Sequence, residues 1–268
     1  MLCLTFDSDH MTEPRMAEWL EGLDIPGRAT MYCTQVYGCL SGRDDFELGP
    51  HPYLAYTELD KGLPKVDPQS GVVPSSWLIQ IERYRDMFPD ARTWRSHSLV
   101  FSQELAWRLS DMKYDSVSTS ERYWDPAPSI SFSPWGVAQV PICYMDNADF
   151  DRIRRYSDFP GSVFSDETIE YLVEGARSET HVFVADLHPI HIQLNTPNFE
   201  YYQANKPNFI DEPTKSFAFE GLGAGAFFEK LLSRLRSEGL QSVSISEAVD
   251  RMGSGQGYVR KERASSAD

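Results

Sequence analysis

Positive charge is scarce in this chain: 25 lysines and arginines stand against 40 aspartates and glutamates, a formal net charge of -15 over 268 residues. So acidic a surface repels a phosphate backbone or an anionic membrane over most of its area, which argues against nucleic acid as a partner. Cysteine is equally sparse. The four present, Cys3, Cys33, Cys39 and Cys143, lack the close spacing of a zinc ribbon or a disulfide scaffold and fall in or beside apolar segments, so they read as reduced core thiols. No segment approaches the roughly 18 to 20 apolar residues that span a bilayer, and the first residues carry no basic stretch leading into an apolar one. The expectation is a cytoplasmic protein without membrane insertion. Internal repeats are missing too.

What is present is apolar material enough for a sizeable core, 41% of residues. Short β-like runs alternate with amphipathic helical ones. "LCLTF" is followed by "EPRMAEWLEGL", whose Met16, Trp19, Leu20 and Leu23 keep helical spacing, and then by "RATMYCT". The rhythm continues through "DFELG", "SSWLIQIERYRDMF", "ARTWRSH", "SQELAWRLSDM" with Ser102 placed to cap it, "YDSVSTS", "VAQVPICYM", "DETIEYLVEGA", "HVFVADLH", "AFFEKLLSRLRSEGL" stopped at Gly239, and "QSVSI". Seven or eight strands with intervening helices suggest an α/β fold, either a parallel barrel or a doubly wound sheet. We expect one domain over residues 1–252 and a flexible tail over 253–268. The long connections at 50–75, 120–136 and 189–220 are rich in proline and aromatics, and loops of that length usually serve function.

Polar pairs close three of the apolar runs. Side chains two apart share a strand face, so Asp7 with Asp9, Arg95 with His97, and Asp186 with His188 would each project together. In a parallel barrel the C-terminal strand ends meet at one rim, where active sites form. "FELGPHPYL" brings His51 to the same rim. Carboxylate plus imidazole is a ligand set for a borderline divalent cation, with zinc favoured and cobalt, nickel or iron compatible. Asp9 is the metal candidate among the acids, and Asp7 is placed to take a proton from water. Plainer roles compete for each residue: Asp9 or Thr12 as a helix cap, His51 as a loop residue, His97 as a core histidine, Arg95 as a surface ion-pair partner. His10 and His181 read as structural or exposed.

In this order the motifs resemble the polysaccharide deacetylase family, the NodB-homology carbohydrate esterases, across most of the chain. "LTFDSD" is similar to that family's first motif, "RATMYCT" to the strand that follows it, "FELGPHPYL" to the segment bearing the first metal histidine, "TWRSHSL" to the arginine motif and "VADLHPIHI" to the late Leu-His motif. "RSHSL" and "HPIHI" resemble most the WbmS-like branch, associated with O-antigen and capsule clusters. The resemblance implies a distorted parallel (β/α) barrel of about seven strands and a metal-dependent carbohydrate de-N-acetylase acting on an N-acetylated saccharide. Asp7 would be its base, Arg95 the clamp that keeps Asp7 ionised, and His188 the general acid. Asp9 and His51 would bind metal. The family's second metal histidine falls at Ala55, a departure, and we expect His97 to take its place.

A carboxylate should raise the pKa of His188; Asp186 is the candidate and Asp115 the competitor. A backbone amide near Ser98 would help the cation stabilise the oxyanion. His191 is open between supporting His188 and touching substrate. Tyr53, Tyr56, Trp94, Tyr123, Trp124 and Trp135 supply aromatic faces suited to sugar stacking or to an ordinary core. Two rival functions are carried forward. A glycosyltransferase would also use Asp-x-Asp, but its acid pair follows a nucleotide-binding region and only six residues precede Asp7. A barrel of the same ancestry that only binds carbohydrate or a partner would have no use for base, clamp and acid together.

Overall fold

Strand β1 (Leu2–Asp7) is buried at every position, and its two faces differ in chemistry. Leu2, Leu4 and Phe6 join the core beneath the helices, while Cys3, Thr5 and Asp7 alternate to the opposite side. In this computed structural model, which describes residues 1–54, 77–147, 163–209 and 218–255, β1 is flanked in parallel by β2 (Ala29–Cys33) and β9 (Phe183–Leu187), with Thr5 opposite both Thr30 and Asp186. Strands β3 (Phe46–Pro50) and β8 (Tyr144–Met145) complete a parallel sheet in the order β3-β2-β1-β9-β8. A second sheet, ordered β4-β5-β7-β6, contains β4 (Thr93–Trp94), β5 (Ser116–Glu121), β6 (Ser131–Phe132) and β7 (Ala138–Ile142), with only β6 antiparallel.

The two sheets meet along both edges. On one side the Cys143 amide donates to Val184 O at 2.9 Å, so the chain runs from β7 into β8 and passes from the second sheet to the first. On the other, the amides of Arg95 and His97 donate to Pro50 O and Pro52 O at 3.3 and 2.9 Å, joining the ends of β4 and β3. Setting aside the antiparallel β6 and counting β7 and β8 as one, seven strand positions among the described residues surround a common interior, a distorted parallel (β/α) arrangement.

Helices α1 (Glu13–Leu20), α2 (Trp77–Met87), α3 (Gln103–Asp111), α4 (Asp166–Arg177) and α7 (Ala224–Ser237) pack outside. Ser102 caps α3, its hydroxyl accepting from Leu105 N at 3.0 Å. Gly239, at φ +65°, turns the chain out of α7 as the amide of Leu240 closes on Leu235 O at 2.9 Å. Two expectations differ. The stretch 189–220 read as loop holds α5 (Pro189–Leu194) and α6 (Phe199–Asn205), too short to show a helical period. "QSVSI" is not an eighth strand: Ser242 makes only isolated bridges, to Leu2 and Gly27. The amides after it are claimed by side chains, Ser244 N by Glu247, Ile245 N by Thr30 and Ser246 N by Glu47, which starts helix α8 (Ile245–Gly255) instead.

Through Ile245, Ala248 and Val249, helix α8 packs on an apolar floor of Cys3, Val140, Ile142, Val184 and Val243. Above that floor the interior turns polar, with Asp7, Arg95, Ser118 and Asp186 all buried. The helix runs through Gly255, past the expected end of the domain at 252. Ala55, Tyr56 and the tail from 256 lie outside the described residues. Among the described residues no helix is long and apolar enough to cross a membrane.

Candidate active site

Arg95 is the axis of the polar half. Fully buried, it reaches across the interior from the end of β4 and donates Nη1–H bonds to Asp7 Oδ1 at 2.8 Å and Asp186 Oδ1 at 2.5 Å. Its Nη2 donates to Thr5 Oγ1 at 2.8 Å and its Nε to Ser118 Oγ at 3.2 Å, and the guanidinium lies 4.2 Å from the centre of the Tyr32 ring. Burial alone would lower the Arg95 pKa; the charges of Asp186 and Asp7 outweigh it and raise it. Two carboxylates sharing one guanidinium nitrogen cannot both be fully neutralised. Burial, with the charge of Asp7 beside it, pushes the Asp186 carboxyl up to about 7 against the pull of Arg95.

The second group surrounds Asp9. Ser8 remains paired, its amide donating to Tyr32 O at 3.0 Å, and His10 at φ 60° then turns the chain, so Asp9 stays beside Asp7 at the rim. Asp9 Oδ1 accepts from the Tyr53 hydroxyl at 2.9 Å and Oδ2 from His97 Nδ1 at 3.0 Å. His51 donates from Nδ1 to Arg95 O at 3.0 Å, leaving Nε2 at 3.4 Å from Asp7 Oδ2 and 3.6 Å from Asp9 Oδ1. That Nε2 is buried and, among the described residues, has no hydrogen-bond partner. Burial would disfavour the charge on Asp9, yet the imidazoles of His97 and His51 hold its carboxyl well below the ordinary range. Burial likewise opposes charge on His51, and Asp7 and Asp9 raise its pKa regardless. A field that draws a proton onto Nε2 suits a cation in the same place.

Donor atoms of Asp9, His51 and His97 lie within 4.8 Å of one another. An orphaned, buried imidazole nitrogen with its other nitrogen fixed on a carbonyl, one carboxylate and a second imidazole form a donor set that fits a borderline divalent cation. His97 stands in a short turn, His97–Leu99, rather than on the strand itself; Ser98 and Leu99 there adopt left-handed backbone, at φ 55° and 51°.

The third group centres on a residue that the sequence reading passed over. Asp146 follows β8 directly and is fully buried. Its Oδ1 accepts from His188 Nδ1 at 2.8 Å and His191 Nδ1 at 3.0 Å, and its Oδ2 from the His188 amide at 2.8 Å. Asp146, not Asp186, is therefore the carboxylate bonded to His188. Asp186 spends its near oxygen on Arg95, although Asp7, Asp186 and His188 still bring polar atoms within 4.8 Å of each other. Asp115 is remote, paired with Arg92 at 2.6 Å where β5 begins. The missed signal was local: "VAQVPICYM" ends on an acid just as "LTFD" does, one residue past the run as read.

Burial would lower the His188 pKa, but Asp146 outweighs it and raises it to about 10. For Asp146 burial again opposes charge, and His191 and His188 hold its carboxyl far below the usual range. His191 goes the other way: burial lowers it, and the neighbouring His188 charge adds to that. One proton thus rests on His188.

The aromatic candidates separate by burial. Trp94 is fully buried against Tyr84 and Tyr114, so it is core and not a sugar platform. Trp124 stacks on Tyr144 and Tyr171, the Tyr123 hydroxyl bonds Met145 Sδ at 3.6 Å, and Trp135 lies near the start of β7, at the end of the strands away from the rim. All four cysteines are free, with Cys39 half-buried and the others buried.

No curated protein sequence matches this chain. Among solved structures it is similar to one from Bordetella bronchiseptica described as a candidate polysaccharide deacetylase involved in O-antigen biosynthesis (WbmS), with 19% identity, 87% of this chain and 90% of that one covered, and a TM-score of 0.66. It is also similar to the D285S mutant of the peptidoglycan deacetylase PdaC from Bacillus subtilis, at 14% identity, 96% and 93% coverage and a TM-score of 0.42. At such identities the Bordetella likeness speaks for the fold alone, the α/β arrangement described above. The WbmS-like polysaccharide deacetylase family model matches residues 4–206, well over half of the chain, and the chain belongs to that family.

Proposed function

We propose that the protein is a divalent-metal-dependent hydrolase that removes the acetyl group from an N-acetylated saccharide during surface polysaccharide synthesis. Asp9, His51 and His97 would hold the cation, with zinc favoured by the donor set. When bound, it would polarise the acyl carbonyl and acidify water. Asp7, held in place by Arg95 at 2.8 Å, takes the proton of the attacking water. Asp186, with its raised pKa, carries a proton more readily than an ordinary carboxyl and so leaves the guanidinium charge to Asp7. As the carbon–nitrogen bond breaks, His188 delivers its proton to the departing amine, and Asp146 stabilises the imidazolium until then. The products are acetate and a free amino sugar.

The observation that supports this most is the buried His51 Nε2, without a hydrogen-bond partner among the described residues, facing two carboxylates, Asp9 and the Arg95-bound Asp7. The test combines metal analysis of the purified protein with acetate release from N-acetylglucosamine oligomers, for the native chain and for His97→Ala. We expect close to one equivalent of metal and measurable acetate in the native protein, and a loss of metal of tenfold or more in affinity for His97→Ala. A native protein that takes up no metal and frees no acetate would instead support the carbohydrate-binding barrel.

A further inference from the structure

Beside the site lies a cavity of about 300 Å³ walled by His10, Gln203, Lys206, Pro207 and Phe209, residues the proposed hydrolysis does not use. Its two walls have different origins. His10 follows Asp9 directly, in left-handed backbone at φ 60°. The opposite wall comes from the end of α6 and the turn Lys206–Asn208. The Lys206 ammonium lies 5.4 Å from the centre of the Tyr202 ring, and Tyr202 stands edge-on to His191 at 4.7 Å. His191 bonds Asp146. The ammonium is thus two rings from the pair proposed to protonate the leaving group.

Among the described residues no carboxylate forms an ion pair with Lys206, in contrast to Lys230, which is paired with Asp166. Half-buried over an aromatic face, the ammonium has already lost part of its hydration, and burial pulls its pKa below the ordinary value. Such a cation gains more from an anion than a fully solvated one does. The remaining lining is mixed: the His10 imidazole and Gln203 amide offer hydrogen bonds, while Pro207 and Phe209 offer apolar faces. The volume lies at the lower end of the about 300–1,000 Å³ range of ligand pockets, enough for a sugar unit rather than a long chain.

We infer that this cavity is a subsite for an anionic group of the saccharide, a sugar carboxylate or a sugar-linked phosphate, held by Lys206. The inference rests on the deacetylase reading of the adjoining site, whose substrate it narrows to an acidic or phosphorylated sugar. The overall charge of -15 makes a local cation the means by which such a substrate is accepted at all.

Three N-acetylated probes test it: neutral diacetylchitobiose, N-acetylmuramic acid with a carboxylate, and N-acetylglucosamine 6-phosphate. We expect at least one anionic probe to show a kcat/KM about tenfold above the neutral one, carried by KM. In Lys206→Gln that ratio should fall to about one, and in Lys206→Arg it should persist, which separates charge from folding. Preference for the carboxylate identifies an acidic sugar, and preference for the phosphate a phosphorylated one. Calorimetric titration of glucuronate and glucosamine 6-phosphate, which carry no acetyl group, reads the subsite without hydrolysis. Binding that depends on Lys206 with no acetate release would uphold the subsite and remove the hydrolase. Acetate release with no anion preference, or a preference that survives Lys206→Gln, would remove the subsite and leave the hydrolase.

Discussion

At the scale of single residues, one oxygen of Asp146 serves two imidazoles, yet only one of them is held charged. His188 also accepts the influence of Asp186 and Asp7, whereas His191 feels the His188 charge and is pushed toward neutrality. This asymmetry sets a pH window. The folded His188 pKa of about 10 lies above the roughly 6.5 of an unfolded chain, so its contribution to stability is complete below pH ~6.5 and is lost as the pH rises toward 10. The depressed Asp146 carboxyl acts at the other end: its contribution holds above the ordinary aspartate pKa of about 4 and disappears as the pH falls through the lower folded value. Replacing Asp146 with Asn removes the charge that keeps the proton on His188. The basic limb of the kcat/KM profile should then move down by more than one pH unit, with activity at pH 8 reduced about a hundredfold. Stability should lose its decline between pH 7 and 10. A basic limb left in place by Asp146→Asn would exclude His188–Asp146 as the acid pair.

At the scale of elements, the site depends on how β3 passes β4. Gly49 lies in that passage: a Cβ there would stand 2.9 Å from Thr93 O and 3.0 Å from a Tyr32 ring carbon. Because one of these is a backbone atom, Gly49→Ala must push the strands apart, and His51 sits two residues downstream. We expect a loss of about 1–3 kcal/mol in urea unfolding, together with weaker metal binding by titration, since the same shift displaces His51. Stability lost with metal affinity intact would detach His51 placement from the seam. The elements also show what could be read from the chain. β1 and β9 were legible because their apolar runs stop abruptly at charged residues, and the turn to His51 because a short run is broken there at Gly49 and Pro50. Asp146 was not, because its strand changes sheets at Cys143 and the last pair of residues, Tyr144 and Met145, gives no alternation to follow. Nor were α5 and α6, of 6 and 7 residues. The supposed last strand failed for another reason: Thr30 and Glu47 are brought to its amides only by the tertiary fold, although the local cap between Ser244 and Glu247 is written in the sequence as Ser-x-x-Glu.

At the scale of the molecule, the proposed ligands come from separate places: Asp9 after β1, His51 after β3 and His97 after β4. They meet only when the two sheets close edge to edge around Arg95, so the unfolded chain offers no comparable site. Arg95 compensates Asp7 and Asp186, but Asp9 faces His51 and His97. A proton on His51 and a cation therefore compete for that second cluster, and binding of the cation should release that proton. A ligand bound only by the folded chain adds about 4 kcal/mol of stability at a thousandfold excess over its Kd. For a chain of this length that corresponds to about 10 °C in Tm, given roughly 2–4 °C per kcal/mol. Stripping metal with a chelator should lower Tm by about this amount at pH 8 and by clearly less at pH 6, where a proton on His51 competes with the cation. Adding back zinc or cobalt should restore it. The opposite pH trend, or a Tm indifferent to both chelator and metal, would mean that the carboxylate–imidazole cluster is satisfied by its own protons and that the hydrolysis proposed above lacks its cation.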